Sequence, residues 1–472
     1  MNKTKIICTI GPASSELTTL AEMVDAGMNV ARLNLSHGTH ETHSEYIQKL
    51  KAIREKKDVS LGILFDLKGP EFRIRQFENG AVILGEGESF TLTSSNVVGN
   101  RDVVSITYKE LPSLVDVGDK ILLNDGFIEL EVVGTTKYDI LTKVIVGGEL
   151  SNNKSINLPD LVVDMPYLND VDKKDILFAL ENDADFLALS FVRSAQDVKA
   201  VKRFIRENGG KNSNVKLISK IESQMGVDNI VEIIEESDGV MIARGDLGVE
   251  VDMKMVPIYQ KLITKKCNQA GKIVIVATQM LESMIHSSRP TRAELSDVSN
   301  AVIDGASALM LSGETAVGNH VVKTIQTMSE VISESEKNIV VKKDFDFSAI
   351  EKEDFSKSIS FACKALSTQI DTSAIVVVTL SGCSAFEISG LRPRAKIIAC
   401  TPNDKTYHQM SLCWGAYAAK MGLYEDTDKL LNEAKKCALG TKLIKKGDLI
   451  IQTGGLPLKS SAQTNLLKVD MV

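Results

Sequence analysis

The chain has 472 residues, 43% of them apolar and 25% charged, and 62 acidic against 55 basic side chains leave a formal charge of -7. At ~150 residues per domain this predicts roughly two to four domains with enough core to need no staples, and the interspersed charge signs, without a basic stripe, exclude a nucleic-acid partner. Seven cysteines at 8, 267, 363, 383, 400, 413 and 437 form no CxxC pair, which argues for a reducing, cytoplasmic setting over a disulfide framework or zinc site, and no run approaches the ~20 apolar residues of a membrane span.

In chain order, the first apolar run, Lys5–Ile10, reads as a strand and not as a leader peptide. Further runs follow at Asn29–Leu35, Leu61–Leu67, Phe186–Val192, Lys216–Ile221, Gly239–Ala243, Ile273–Ala277 and Ala308–Leu311. Each is too apolar to alternate cleanly, as expected of a strand covered on both faces. Helix-length patterns such as Val256–Ala270 and Glu294–Asp304 separate them. Eight such units predict an α/β fold built on a (β/α)8 barrel.

Between Leu67 and about Asp170 the helical period vanishes. Val, Ile, Thr and Gly take over, with turn signals at 78–80, 124–126 and 147–148, so an all-β domain is expected as an insertion after the third strand. From about Asp344 a second α/β pattern begins, with strands Ala374–Leu380, Lys396–Thr401, Asp448–Thr453 and Leu466–Val469, and acidic Lys342–Asp354 reads as the linker. The expected division is 1–67 with 168–340 for the barrel, 68–167 for the inserted β domain and 345–472 for the C-terminal α/β domain.

Chemistry in such a barrel gathers where the strands end. The second strand ends Arg32-Leu-Asn34-Leu-Ser36-His37, the third Asp66-Leu67-Lys68-Gly-Pro-Glu71-Phe-Arg73, the fifth Lys220-Ile-Glu222, the sixth Arg244-Gly245-Asp246, the seventh Thr278-Gln279 and the eighth Ser312-Gly-Glu314. Glu222 and Asp246 are hard oxygen ligands suited to Mg²⁺ or Mn²⁺, which take one or two carboxylates plus substrate oxygens. Arg32, Arg73 and Lys220 supply the positive charge that a phosphoryl group in transfer requires. Asn34, Ser36 and Asp66 form a second oxygen cluster of lower charge, suited to a monovalent cation. No GxxxxGK[ST] loop or dinucleotide fingerprint is present, so a nucleotide must bind in the mouth. His40 and His43 are expected on a helix face, not as metal ligands. The Gln279–Met284 stretch reads as packing, and Trp414 carries no signal of its own.

Lys5-Ile-Ile-Cys-Thr-Ile-Gly-Pro-Ala-Ser, Arg32-Leu-Asn-Leu-Ser-His-Gly, Asp66-Leu-Lys-Gly-Pro-Glu-Phe-Arg, Ile218-Ser-Lys-Ile-Glu, Ala243-Arg-Gly-Asp-Leu-Gly-Val-Glu, Ala277-Thr-Gln-Met-Leu-Glu-Ser-Met and Met310-Leu-Ser-Gly-Glu-Thr-Ala resemble, in order, the motifs of pyruvate kinases. Thr379-Leu-Ser-Gly-Cys-Ser-Ala and Leu391-Arg-Pro extend the likeness toward the C-terminus. The resemblance implies transfer of the phosphoryl group of phosphoenolpyruvate to ADP, giving pyruvate and ATP. It implies Lys220, Thr278 and Arg32 as catalytic residues, with Gly245 and Asp246 also contacting substrate. Glu222 and Asp246 would hold Mg²⁺, and Asn34, Ser36, Asp66 and the Leu67 carbonyl K⁺. Asn34, Ser36, His37, Arg73 and Lys154 would serve the nucleotide. Glu71, at its position in the motif, implies dependence on K⁺.

The likeness further implies an inserted domain that acts as a lid, a homotetramer, and a C-terminal regulatory and oligomerisation domain. There Thr379, Ser381, Gly382 and Ser384 would take the phosphate of an allosteric effector, against the plainer expectation that Ser384 caps its own helix. The chain departs from the family at Leu67, Ser155 and Asp160, and the glycines usual before Thr464-Asn465 are missing. It starts at the first barrel strand, and neither the N-terminal extension of animal enzymes nor the extra C-terminal domain of some bacterial ones is expected. An Mg²⁺-dependent lyase barrel would share Glu222, Asp246 and Arg32, but has no use for Lys220, the second cation cluster or a lid.

Overall fold

The computed structural model describes residues 2–159, 166–209, 214–338, 354–456 and 463–472. Eight parallel strands close into a barrel: β1 (Lys5–Thr9), β2 (Val30–Asn34), β3 (Gly62–Asp66), β4 (Phe186–Leu189), β5 (Lys216–Ile221), β6 (Gly239–Ala243), β7 (Ile273–Ala277) and β8 (Ala308–Leu311). All eight lie at the expected places. Side chains that point inward, among them Ile7, Leu64, Phe186, Ile218, Met241 and Met310, fill the barrel as one cluster, and Leu412 of the C-terminal domain plugs it from below. Phe186 is fully buried, and truncating such a ring costs about 3–5 kcal/mol. The outward-pointing residues meet the surrounding helices in a second, larger core.

Local chemistry fixes the helix starts. Thr291 and Glu294 form a capping box on Arg292–Asp304, and Ser194 with Asp197 does the same for Ala195–Asn208. Gly62 opens β3 because nothing larger fits: a Cβ there would lie 2.4 Å from Ser411 Oγ and 2.9 Å from the Phe186 ring.

The segment between β3 and the helix Asp170–Glu181 is all-β. A seven-stranded sheet, largely antiparallel, runs in the order 72–73, 155–157, 120–123, 128–135, 139–146, 89–93, 103–105, and a separate ribbon pairs Ala81–Leu84 with Gly148–Ser151. Its core, which includes Ile74, Phe90, Ile121, Leu130 and Val144, is distinct from that of the barrel. The C-terminal sheet carries five strands, of which Ala416–Lys420 was not anticipated. Of the expected linker, 342–353 lies outside the described residues, as do Asp160 and 457–462. Among the described residues no helix is long and apolar enough to cross a membrane, and all seven cysteines are unpaired.

Candidate active site

The register of the barrel strands sets Asn34 beside Asp66 across β2 and β3. Asp66 is 1% exposed and receives two cations at once. Arg32 donates from Nε and Nη2 to Asp66 Oδ2, both at 2.7 Å, and Lys220 Nζ lies 3.3 Å from Oδ1. Arg32 Nη1 also donates to Thr9 Oγ1, which donates to the Leu311 carbonyl, so the guanidinium is fixed on both sides. Burial disfavours the Asp66 charge, but Lys220 and Arg32 outweigh it and hold the carboxyl below its usual range.

Lys220 reaches further, to Glu222 Oε1 at 3.0 Å and Ser190 Oγ at 2.7 Å. Burial opposes its charge, yet Asp66, Glu222 and Asp246 prevail and keep the ammonium above its ordinary value. Glu222 shows the opposite balance. Burial raises its carboxyl, and with Asp246 beside it the nearby ammonium does not bring it back down. Burial is the largest cause of that rise.

Sequence reasoning passed over β4. Ser190, just beyond that strand, links Lys220 to the Leu67 carbonyl, to which it donates at 2.8 Å. Phe191 follows with φ 55° and donates its N–H to Glu222 Oε2 at 2.6 Å. A bulky residue at positive φ stores backbone strain of about 1–3 kcal/mol, and here the strained turn aims an amide at the carboxylate. Gly69 (φ 73°) lies where the chain leaves for the inserted sheet, and a Cβ there would sit 2.8 Å from the Ser190 carbonyl. Its N–H is held by Asp172 at 3.0 Å.

Beyond β6 the chain turns directly into the helix Arg244–Glu250, with Asp246 in its first turn. Gly245 N–H donates to Thr278 Oγ1 at 2.9 Å, and Thr278 donates to the Ala277 carbonyl at 2.6 Å. Thr278 and Gln279 both have positive φ, 68° and 53°. Arg244 braces this turn by donating to the Thr278 carbonyl at 2.6 Å, and is itself paired with Asp297 at 2.7 Å.

At the rim, Asn34 Oδ1 accepts from Ser36 N–H at 3.2 Å. Partial desolvation, with Arg73, Arg32 and Lys68 nearby, holds the His37 imidazole below its usual value. Arg73 is paired with Glu71 at 2.7 Å and donates to the Asn153 carbonyl at 2.7 Å, beside half-buried Lys154. Glu71 thus anchors Arg73, itself in the inserted sheet. A tie from the inserted sheet to the barrel joins Asn157 to Glu250 at 2.7 Å.

Two strand-end readings change. Glu314 does not contribute a free carboxylate to the mouth, because its oxygens accept from Leu281 and Ser312 N–H at 3.1 and 2.7 Å. In the C-terminal domain Ser384 does not cap the helix Cys383–Gly390, whose N-cap is Gly382. Ser384 instead meets Thr464 at 2.6 Å, Thr379 accepts from Gly382 N–H at 2.9 Å, and Ser381 stays exposed. His40 and His43 lie on the helix His40–Lys57 as expected. His40 contacts Asp175 at 2.6 Å and stacks on Phe178, and His43 contacts the His37 carbonyl at 2.8 Å. Trp414, read as silent, lies under Lys3 and Arg392.

Arg32 and Lys220 set among Asp66, Glu222 and Asp246, with Arg73 at the rim, make the charged mouth of a barrel enzyme. Residues 1–325 match the family model described as the barrel domain of pyruvate kinase, and residues 357–470 the one described as its alpha/beta domain. A pyruvate kinase from Clostridium perfringens is 41% identical across the whole of both chains. One from Bacillus licheniformis is 44% identical, covering all of this chain and 81% of its own length. A crystal structure of a pyruvate kinase from Cryptosporidium parvum superposes with a TM-score of 0.92 at 36% identity, over 100% of this chain and 96% of the other. The chain belongs to the pyruvate kinase family, phosphotransferases of glycolysis.

Proposed function

We propose that the buried cluster around Lys220 carries the phosphoryl group of phosphoenolpyruvate to ADP, and that Glu222 and Asp246 hold a divalent cation there. What supports this reading is the geometry: Lys220 Nζ lies 3.0 Å from Glu222 Oε1 and 3.3 Å from Asp66 Oδ1, with Asp246 close enough to act on both Lys220 and Glu222. Two carboxylates suit Mg²⁺, which keeps positions open for substrate oxygens. When bound, the ion would supply Lewis-acid stabilisation of the charge that develops on those oxygens.

The protein's own groups do the remaining work. Lys220, kept protonated by its carboxylate neighbours, presents fixed positive charge to the phosphoryl group, and Asp66 orients both Lys220 and Arg32 toward it. Preorganised charge in a dry site needs no reorganisation as the reaction proceeds. Gly245 N–H and Thr278 Oγ1 hold the organic end, and Thr278 lies on the route that protonates the enolate. Arg73, His37 and Lys154 meet the nucleotide phosphates, with the inserted sheet as a lid that keeps water from competing with ADP. Asn34, Ser36, Asp66 and the Leu67 carbonyl fit K⁺: all offer oxygen, and the Leu67 carbonyl keeps a lone pair beyond the one Ser190 uses. A homotetramer, a cytoplasmic location and a phosphate-bearing effector near Ser381 belong to the same reading and rest on the sequence likeness.

The test is pyruvate formation from phosphoenolpyruvate with ADP and Mg²⁺ present or withheld. Turnover must require both. A lyase acting on an oxoacid would turn over without ADP.

A further inference from the structure

We propose that Asp172 is a positioning residue for the nucleotide side of the reaction: by holding Gly69 it pins together the two crossings between barrel and inserted sheet, and so sets where Arg73 stands. The inference rests on the reading that Arg73 meets the nucleotide phosphates.

The barrel itself fixes the outgoing crossing as far as Leu67, whose N–H donates to the Ala188 carbonyl at 3.0 Å and whose carbonyl accepts from Ser190. Two residues on, Gly69 turns the chain away with φ 73°. Glu71 N–H closes the turn on the Gly69 carbonyl at 3.0 Å. Glu71 then holds Arg73, whose other hold is the Asn153 carbonyl. Whatever fixes Gly69 therefore fixes the base from which Glu71 and Arg73 reach the mouth. Arg32 and Lys220 stand on barrel strands and do not depend on it.

Asp172 does that fixing from 103 residues further along the chain. It is 1% exposed, and both its oxygens are used. Oδ1 accepts from Gly69 N–H at 3.0 Å and Oδ2 from Asn169 Nδ2 at 2.7 Å. Burial lifts its carboxyl to about 6, so at neutral pH it is ionised and accepts as an anion, the stronger kind of acceptor. Lys68 acts on it electrostatically, but among the described residues no cation forms an ion pair with it. Its charge is thus directed at the Gly69 amide and the Asn169 side chain.

An acid in the first turn of a helix usually serves that helix. Here the cap of Asp170–Glu181 is Asn169, which accepts from Val171 and Asp172 N–H at 2.8 Å each, and this leaves the Asp172 side chain for Gly69. The returning crossing is held at the same spot, because Tyr167 donates its hydroxyl to the Ser190 carbonyl at 2.7 Å. That carbonyl is also the atom a Cβ on Gly69 would meet at 2.8 Å. Both crossings close on one residue of the barrel, and Asp172 is the side chain that bridges them.

The experiment is steady-state kinetics of pyruvate formation by full-length wild type, Asp172→Ala and Gly69→Ala, each at a temperature where circular dichroism shows it folded. Asp172→Ala is expected to raise KM for ADP ~10-fold or more, the scale of losing a hydrogen bond to a charged group, while KM for phosphoenolpyruvate stays within ~3-fold. Gly69→Ala drives a Cβ against the Ser190 carbonyl at an unfavourable φ, so it displaces the same turn from the other side and should show the same split. The double variant should be no worse than the worse single one, since both act on one turn. Unchanged KM for ADP in either folded variant, or equal rises in both constants, would overturn the proposal. Should Asp172→Ala fail to fold, Gly69→Ala decides alone. A failure of the underlying reading shows in the wild type instead, as no pyruvate from phosphoenolpyruvate and ADP.

Discussion

Arg244 donates to the carbonyl of Thr278 at 2.6 Å, across the gap between the sixth and seventh strands, and Thr278 holds φ at 68°. A β-branched residue does not keep that conformation unaided, since it costs of order 1–3 kcal/mol. Arg244 is therefore the brace that aims the Thr278 hydroxyl at Gly245. Arg244→Met is predicted to lower kcat by ~10²-fold, the scale of losing one preorganised contact, in a chain that still folds. Asp297→Asn should act in the same direction more weakly, and the double variant should be no worse than Arg244→Met alone, because Asp297 works through Arg244. Additive losses in steady-state kinetics would show that the two act separately.

Asp246 stands in the first turn of a short helix, half-buried, with Glu222 near enough to feel its charge. Asp246→Asn removes one divalent ligand and no packing. Turnover should drop by at least ~10²-fold while circular dichroism remains that of wild type. Near-normal turnover at saturating Mg²⁺ would take Asp246 out of this role.

Glu71 is a partly buried carboxyl at the rim of the mouth. Burial raises its carboxyl, Arg73 pulls it down only in part, and Asp246 adds to the repulsion. A monovalent cation held by Asn34, Ser36, Asp66 and Leu67 would relieve this. Activity in K⁺ should far exceed that in tetramethylammonium. Glu71→Lys should reduce the difference while raising KM for ADP, since Arg73 loses its anchor. Equal rates of the wild type in the two salts would contradict the site.

His408, in the C-terminal domain, is kept neutral. Burial, then Arg54 and Lys420, lower its imidazole to about 3. The folded state thus binds fewer protons than the unfolded chain below the ordinary His value of about 6.5. Stability is present in full above that pH and is lost as pH falls toward 3. The thermal midpoint of His408→Gln should fall less steeply between pH 6.5 and 4 than that of the wild type, and parallel slopes would refute the linkage.

Much of this was legible in the sequence because the barrel strands are nearly unbroken apolar runs, so charged residues at their ends stand out. Arg32, Asp66, Lys220 and Glu222 could be read that way, and they meet within hydrogen-bonding distance. Ser190 could not. A serine after Leu-Ala-Leu looks like an ordinary strand end, and only its place between Lys220 and the Leu67 carbonyl gives it work. The strains at Phe191 and Thr278 are invisible in residue type, since neither residue favours positive φ. The strand Ala416–Lys420 escaped because alanines carry little strand preference. Glu314 shows the converse: an acid at a strand end can be spent on backbone amides.

Phosphorus NMR of phosphoenolpyruvate, ADP and Mg²⁺, with wild type beside Lys220→Met and folding of each monitored separately, tests phosphoryl transfer at Lys220 most directly. Removing Lys220 leaves Asp66 and Glu222 buried with less compensation, so the variant should also be less stable, by up to about 3–5 kcal/mol. At a temperature where both are folded, the phosphoenolpyruvate signal should pass into the γ-phosphate of ATP with the wild type, only when ADP is present. Lys220→Met should do so at least ~10²-fold more slowly. Free phosphate released by the wild type without ADP, or transfer by a folded Lys220→Met at the wild-type rate, would contradict the claim that this lysine and its carboxylates carry the phosphoryl group.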